Sequence, residues 1–331
     1  MIGIIANPAS GKDIRRLVAQ GTVFDNMEKV NIIQRILVVL HNAGIKDIYM
    51  MPDSFRILES AVFALARNLR IDAEVSEIDM ICENNQNDSA KAAELLLELG
   101  ANCIITLGGD GTNRAVAKGC GDVPLIPLST GTNNVFPKVI EGTVAGMAAV
   151  VAELDTERAF FRTRRCKRLC VYKNYELVDM ALVDAAVTKD RFIGARALWD
   201  LDAITEIFVT MARADSIGMS AIAGYFHPVP ENGPTGLYIE IGKRCGFSVR
   251  VPIAPGMVEE ISVGEVRELL PGERIKIATP EGIIALDGER EVPFRKGDVM
   301  EIGLGHDGPF VVEVEQTLTS AARGGFFVKR F

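Results

Sequence analysis

The chain has 331 residues, which is too many for one ordinary hydrophobic core and suits two domains. Hydrophobic residues make up 48% of the chain and charged residues 24%, which is the balance of a globular protein. The net charge of −8 argues against nucleic-acid binding through a basic surplus, and no apolar run approaches the length that spans a bilayer.

The first half of the chain alternates short apolar runs with amphipathic stretches. Turn or capping signals follow several of these elements, such as Gly44 and Gly100 after two of the helical stretches. This alternation predicts a doubly wound parallel sheet with helices on both faces, over residues 1–155. The predicted strands are 2–6, 47–51, 73–78, 103–107 and 123–128, and the predicted helices are 28–42, 57–69, 88–99 and 143–154.

The second half, residues 156–308, has a different pattern. Residues 168–187 and 237–302 are rich in Val, Ile and Thr and are broken by Gly and Pro, which predicts a β-rich, mostly antiparallel domain. A helical insertion is predicted near 190–220, with a helix at 196–214 whose apolar positions are Leu201, Ile204, Ile207, Phe208 and Met211. For the tail at 309–331, packing against the first domain is left open.

The six cysteines form no C-x-x-C pair, and the three histidines lie far from metal-ligand spacing. Buried free thiols are therefore expected, and a zinc site is not. The chain begins directly with a strand-like run, so we expect a cytoplasmic protein without a leader segment.

The loop after the strand at 103–107 carries the strongest chemical signal. It reads Gly108-Gly109-Asp110-Gly111-Thr112, and a helix is expected to begin near Asn113. Glycines let backbone N–H groups approach a phosphate closely and tolerate positive φ, and the helix N-terminus attracts the same anion. A carboxylate at Asp110 can accept a proton from an attacking hydroxyl or hold Mg²⁺. The sequence therefore predicts a phosphate-binding catalytic loop.

A second polar loop follows the next strand. Thr130, Gly131, Thr132, Asn133 and Asn134 provide hydroxyls and amides that can bind phosphate and ribose. Loops at the carboxyl ends of neighbouring parallel strands meet over one crevice, so this loop is expected to lie beside the first.

Four motifs together resemble the superfamily of NAD kinases and diacylglycerol-type lipid kinases. They occur in the family's order over nearly the full chain. Within the superfamily, residues 129–137 are most similar to the acetoin catabolism protein X branch, described as ATP-NAD kinase-like. The motifs are Asn7-Pro8-Ala9-Ser10-Gly11-Lys12, Gly108-Gly109-Asp110-Gly111-Thr112, Gly131-Thr132-Asn133-Asn134 and Leu286-Asp287-Gly288-Glu289.

The resemblance implies an active site between an α/β domain and a β-rich domain. It also implies Mg²⁺ together with ATP, or alternatively polyphosphate, as the phosphoryl donor. Asp110 falls on the family's Asp that activates the accepting hydroxyl. The glycines of the first loop and Thr112 fall on the phosphate-binding loop, and Asn7 would lie near the donor phosphates.

The acceptor is less well specified. NAD kinases bind the nucleoside of NAD through an Asn-Glu or Asn-Asp pair, and here Val183 stands before Asp184 in place of the Asn. Asp184 could still bind a ribose hydroxyl. Asp287 and Glu289 match the lipid-kinase form of their motif, and a carboxylate there could orient Mg²⁺-bound water.

The resemblance therefore implies phosphorylation of a soluble nucleotide-like metabolite, foremost NAD, which would give NADP. Two alternatives stay open, a diacylglycerol-type lipid kinase and a nucleotide-binding regulator without turnover. The expected partner is the small-molecule substrate, with no nucleic acid and no membrane, and self-association into a homo-oligomer is left open.

Overall fold

A computed structural model describes residues 1–11, 24–69, 75–131, 133–189, 201–242 and 246–328. The helices are α1 (Asn26–Asn42), α2 (Ile57–Leu69), α3 (Gln86–Glu98), α4 (Asp110–Gly119), α5 (Gly142–Leu154), α6 (Met219–Phe226) and α7 (Val314–Arg323), with a 3-10 turn at Leu201–Ala203. The strands are β1 (Ile2–Ala6), β2 (Ile48–Met50), β3 (Ser76–Glu77), β4 (Cys103–Gly108), β5 (Leu125–Ser129), β6 (Thr163–Arg165), β7 (Arg168–Lys173), β8 (Glu176–Ala181), β9 (Asp184–Thr188), β10 (Ile204–Val209), β11 (Gly236–Ile241), β12 (Phe247–Ala254), β13 (Met257–Leu269), β14 (Arg274–Lys276), β15 (Gly282–Leu286), β16 (Glu289–Phe294), β17 (Met300–Gly305) and β18 (Phe310–Val312).

The first half forms the predicted parallel α/β layer. Its sheet has the strand order β3-β2-β1-β4-β5-β18-β6, and all neighbours are parallel except β6, which runs antiparallel to β18. Strand β4 is buried along its whole length, because helices cover the sheet on both faces. The carboxyl ends of β1, β4 and β5 therefore meet along one edge of this sheet.

The second half folds into two antiparallel sheets, which confirms the predicted fold class. Their strand orders are β12-β13-β11-β10-β9-β15-β16 and β14-β17-β7-β8. A buried apolar cluster lies between the two sheets and includes Val171 of β7, Val187 of β9, Phe208 of β10 and Ile302 of β17.

The helix predicted at 196–214 is wrong in its described part. Residues 204–209 form strand β10, which pairs with β9 on one side and β11 on the other. A central strand buried on both faces carries apolar residues at nearly every position. Such a run also contains apolar pairs three and four residues apart, which is the spacing of a helix. Residues 190–200 lie outside the described residues. Among the described residues of this region, the α-helix is α6, which begins at Met219.

The end of the chain returns to the first sheet. Val311 of β18 pairs with Leu125 of β5, and α7 packs against α5. The parallel sheet is thus built from residues at both ends of the chain, while the domain boundaries at 155 and 308 stay predictions.

Two buried thiols should make the stability of this layer depend on pH. Burial raises the pKa of Cys103 and of Cys120 from 9.0 to about 12. Below pH 8 both thiols keep their protons in the folded and the unfolded chain. Above pH 9 only the unfolded chain releases them, so unfolding becomes more favourable until the pH reaches the folded pKa. Between pH 8 and 10, we expect the free energy of unfolding to fall by about 1.4 kcal/mol for each thiol.

Urea unfolding of the wild type and of Cys103→Ser at pH 8 and pH 10 measures this effect. Between these pH values, the free energy of unfolding should fall by about 1.4 kcal/mol less in the variant than in the wild type. An equal loss in both proteins would show that Cys103 ionises as readily in the folded chain as in the unfolded one.

Candidate functional site

A cavity of about 590 Å³ lies at the carboxyl ends of β1, β4 and β5, between the parallel sheet and the second domain. It brings together most of the residues predicted from the sequence. Those that line it are Asn7, Gly109, Asp110, Gly111, Thr112, Asn133, Asn134, Asp184, Asp287 and Glu289. Gly108, Thr130 and Gly131 are not on the cavity wall, although Gly108 precedes the lining Gly109 and the hydroxyl of Thr130 contacts that of the lining Ser10. Thr132 falls outside the described residues.

The glycines of the first loop allow other residues to approach its backbone closely. A Cβ on Gly108 would lie 2.4 Å from Cβ of Thr112, and one on Gly109 would lie 2.9 Å from Oδ1 of Asn134. A Cβ on Gly111 would lie 3.2 Å from Oε1 of Glu289. Gly109 has a φ of −98°, so its need for glycine is steric and does not come from a positive φ. Helix α4 begins at Asp110, earlier than predicted, and its N-terminal N–H groups lie at the cavity, where they favour an anion.

Asp110 joins the two predicted loops. Its carboxylate accepts hydrogen bonds from the backbone N–H groups of Val135, at 3.1 Å, and Phe136, at 2.8 Å. Asn134 lies close to Gly109, as described above, and donates from Nδ2 to Oγ of Ser129 at 2.8 Å. The carboxylate is therefore fixed at the junction of the loops and still lies on the cavity wall.

The turn after β1 contacts both loops. Asn7 donates from Nδ2 to Oγ1 of Thr112 at 2.9 Å, and its own Oδ1 accepts from the N–H of Ala9 at 2.9 Å. The hydroxyls of Ser10 and Thr130 lie 2.9 Å apart. These contacts place all three predicted loops along a single edge of the sheet.

Lys29 is a residue of this site that the sequence analysis missed. Its side chain is fully buried and donates from Nζ to the carbonyls of Asn7 and Ser10, both at 2.7 Å, and to Oδ1 of Asn26 at 3.0 Å. It thereby fixes the turn after β1 from behind and places a positive charge beneath it. A signal existed in the sequence, since Lys29 shares a helix face with the buried Ile33 and Ile36.

Asp287 contacts the turn that precedes β9. Its carboxylate accepts from the N–H groups of Leu182, Val183 and Asp184, at 3.0, 2.8 and 3.2 Å. Burial raises the pKa of Asp287, while Arg114 and the three N–H groups act in the opposite direction. This carboxylate therefore holds the turn that precedes β9.

Glu289 faces the glycine loop. It lies against Gly111 and accepts a hydrogen bond from Gln86 at the start of α3. Among the described residues, no group of three or more His, Cys, Asp or Glu side chains is arranged to hold a metal ion. This arrangement still fits Mg²⁺, which is usually bound through one or two carboxylates and the phosphates of a nucleotide rather than by an all-protein cage.

Arg114 connects helix α4 to the second domain and was also missed. Its guanidinium is buried and lies 2.9 Å from Oε1 of Glu291, 3.4 Å from Oδ1 of Asp179 and 3.7 Å from Oδ2 of Asp287. Because α4 begins at Asp110, this cluster holds the glycine loop against the second domain.

The two walls of the cavity differ in chemistry. The wall from the parallel sheet is largely polar and includes Asn7, Ser10 and Asp53. The wall from the second domain carries apolar side chains around Asp184 and Ser220. These apolar residues are Leu201, Ile217, Met219, Ile253, Ala254 and Met257.

Comparison with known proteins gives matches over both halves. Residues 2–159 match the ATP-NAD kinase N-terminal domain family, and residues 167–307 match the Acetoin catabolism protein X C-terminal domain family. Acetoin catabolism protein X of Cupriavidus necator is 36% identical to the chain over 339 aligned positions, which cover 98% of this chain and 92% of that protein. Within the described residues, no helix is both long enough and apolar enough to cross a membrane.

Proposed function

Because the chain belongs to the acetoin catabolism protein X family and carries an ATP-NAD kinase N-terminal domain, we propose that it transfers a phosphoryl group from ATP to a hydroxyl of a small molecule. The family assignment makes it a kinase-like nucleotide-binding protein. The observation that carries the proposal is the position of Asp110, on the cavity wall at the N-terminus of α4 and between two polar loops.

The reaction balances with groups that line the cavity. The acceptor's hydroxyl oxygen attacks the γ-phosphorus of ATP, and the bond between that phosphorus and the β,γ-bridging oxygen breaks as ADP leaves. Asp110 accepts the hydroxyl proton. The N–H groups at the start of α4 hold the transferring phosphate, and Asn7 and Lys29 keep the neighbouring turn in place. Glu289 would be the carboxylate partner of Mg²⁺, which would neutralise charge on the triphosphate.

NAD is the acceptor that the NAD kinase resemblance predicts. Asp184 lines the cavity where it could bind a ribose hydroxyl, while Val183 stands where NAD kinases have Asn. A lipid alcohol is the second candidate, and it is favoured by the apolar wall of the second domain and by Glu289 at the end of its motif.

An assay with γ-labelled ATP and Mg²⁺ tests the proposal, with NAD, NADH, small alcohols and a diacylglycerol as acceptors. We expect a phosphorylated product and ADP in equal amounts with at least one acceptor. If ATP and NAD raise the melting temperature but no acceptor is phosphorylated, the chain is a nucleotide-binding regulator and the kinase proposal fails.

A further inference from the structure

The apolar wall of the cavity is a preformed surface. Leu201, Met219 and Ile253 pack against a buried core cluster of the second domain, so their positions are supported from behind. These side chains are nevertheless only partly buried, and they line the same cavity as Asp110. An apolar surface that borders a reacting carboxylate is stabilised when an apolar part of a ligand covers it.

Among the described residues of the second domain, four polar side chains line the cavity. The carboxylates of Asp287 and Glu289 lie beside Arg114 and Gly111, while Asp184 and Ser220 lie among the apolar side chains and suit hydroxyls. Asp184 begins β9 and Ser220 lies in the first turn of α6, and both line the cavity. A carboxylate accepts hydrogen bonds from a neutral hydroxyl, whereas it repels the pyrophosphate of a dinucleotide. Apolar side chains also replace the water that a pyrophosphate needs, which further disfavours a charged acceptor at this wall.

The size of the cavity points in the same direction. Its volume of about 590 Å³ lies within the range of pockets that hold one drug-sized ligand. The donor's phosphates occupy the polar side of this volume in the proposed reaction. The remaining space suits a small alcohol better than a second nucleotide.

We propose that the acceptor is a small uncharged alcohol, whose hydroxyl lies at Asp110 and whose compact apolar group packs against Met219, Ile253 and Met257. The inference rests on the proposed phosphoryl transfer and specifies its substrate class. A second hydroxyl of the acceptor, where present, donates to Asp184.

The test uses the full chain, Mg²⁺, γ-labelled ATP and a series of 1,2-diols from propanediol to hexanediol, with NAD as the charged comparison. Each methylene that enters the apolar wall should raise kcat/KM about four-fold, until the wall is filled. NAD should be phosphorylated with a lower kcat/KM than the best diol.

Two neighbouring residues provide a matched pair of variants. Met257 lines the cavity, whereas the side chain of Val258 is exposed and lies off the cavity wall. Met257→Gln keeps a similar length but makes the wall polar, so the gain per methylene should shrink while KM for ATP stays unchanged. Val258→Gln should leave kcat/KM unaltered for every diol of the series.

The outcomes separate this inference from the proposed function. Phosphorylation of NAD with a higher kcat/KM than any diol, lost in Asp110→Asn, would keep the kinase and overturn the small apolar acceptor. Preference for dioleoylglycerol in phosphatidylcholine vesicles would likewise overturn it in favour of a long-chain lipid. If the gain in kcat/KM for each methylene is the same in Met257→Gln as in the wild type, the wall does not contact the acceptor. Absence of transfer to every acceptor would remove both proposals.

Discussion

Asp110→Asn is expected to lower the turnover of phosphoryl transfer by about 10²–10⁴-fold while the protein stays folded. The amide cannot accept the proton of the attacking hydroxyl, so the loss should appear in kcat. Its carbonyl oxygen can still accept the 2.8 Å hydrogen bond from the N–H of Phe136. The loop at 133–136 should therefore keep its position in the variant.

The measurement compares kcat, KM for ATP and the ATP-induced rise in melting temperature between the wild type and Asp110→Asn. Retained nucleotide binding with lost turnover identifies Asp110 as the proton acceptor. Asp110→Ala is a useful second variant, because it removes both N–H contacts and should also destabilise the loop. Turnover at the wild-type rate in Asp110→Asn would remove Asp110 from the mechanism.

Much of the first domain could be predicted because local pattern and tertiary environment agree there. The run from Cys103 to Leu107 is apolar apart from Thr106 and lies as a buried central strand, and the glycine loop follows it directly. The topology rule for parallel sheets then places neighbouring loops together, so the proximity of Asp110 and Asn134 could also be predicted.

The second domain was harder to predict because long-range pairing determines its elements. Ile204 and Ile207 match a helical period, yet they lie in β10 between two antiparallel partners. The role of Asp287 depends on the turn at 182–184, more than a hundred residues earlier in the chain. No local pattern encodes such a contact. The sequence therefore predicted Asp287 as a site residue but could not predict the backbone groups that it contacts.

Arg114→Met is expected to lower the free energy of unfolding by about 3–5 kcal/mol, the largest stability effect among the changes considered. The guanidinium is 1% exposed, and the side chain of Asp287 is fully buried beside it. Removing the cation leaves that carboxylate in a low-dielectric site with only backbone N–H donors. Asp179 and Glu291 lose a partner as well, although both retain some exposure to water.

Arg213→Met is the matched control for the same change of side chain. Arg213 pairs with Asp215 at 2.5 Å, but both side chains are more than half exposed, so its loss should cost less than about 1 kcal/mol. Urea unfolding of both variants measures the difference, and similar midpoints would contradict a special role for burial at Arg114.

The pH dependence of Arg114→Met tests the cause of its instability. Burial already raises the pKa of Asp287, and Arg114 opposes that shift, so removing Arg114 should raise the pKa further. A protonated Asp287 no longer needs a cation. The difference in free energy of unfolding between the wild type and the variant should therefore shrink as the pH falls from 8 to 5.

The double variant Arg114→Met/Asp287→Asn should recover part of the lost free energy of unfolding at pH 8, because a neutral amide replaces the uncompensated charge. A deficit that is independent of pH and unaffected by Asp287→Asn would instead point to lost packing of the Arg114 side chain.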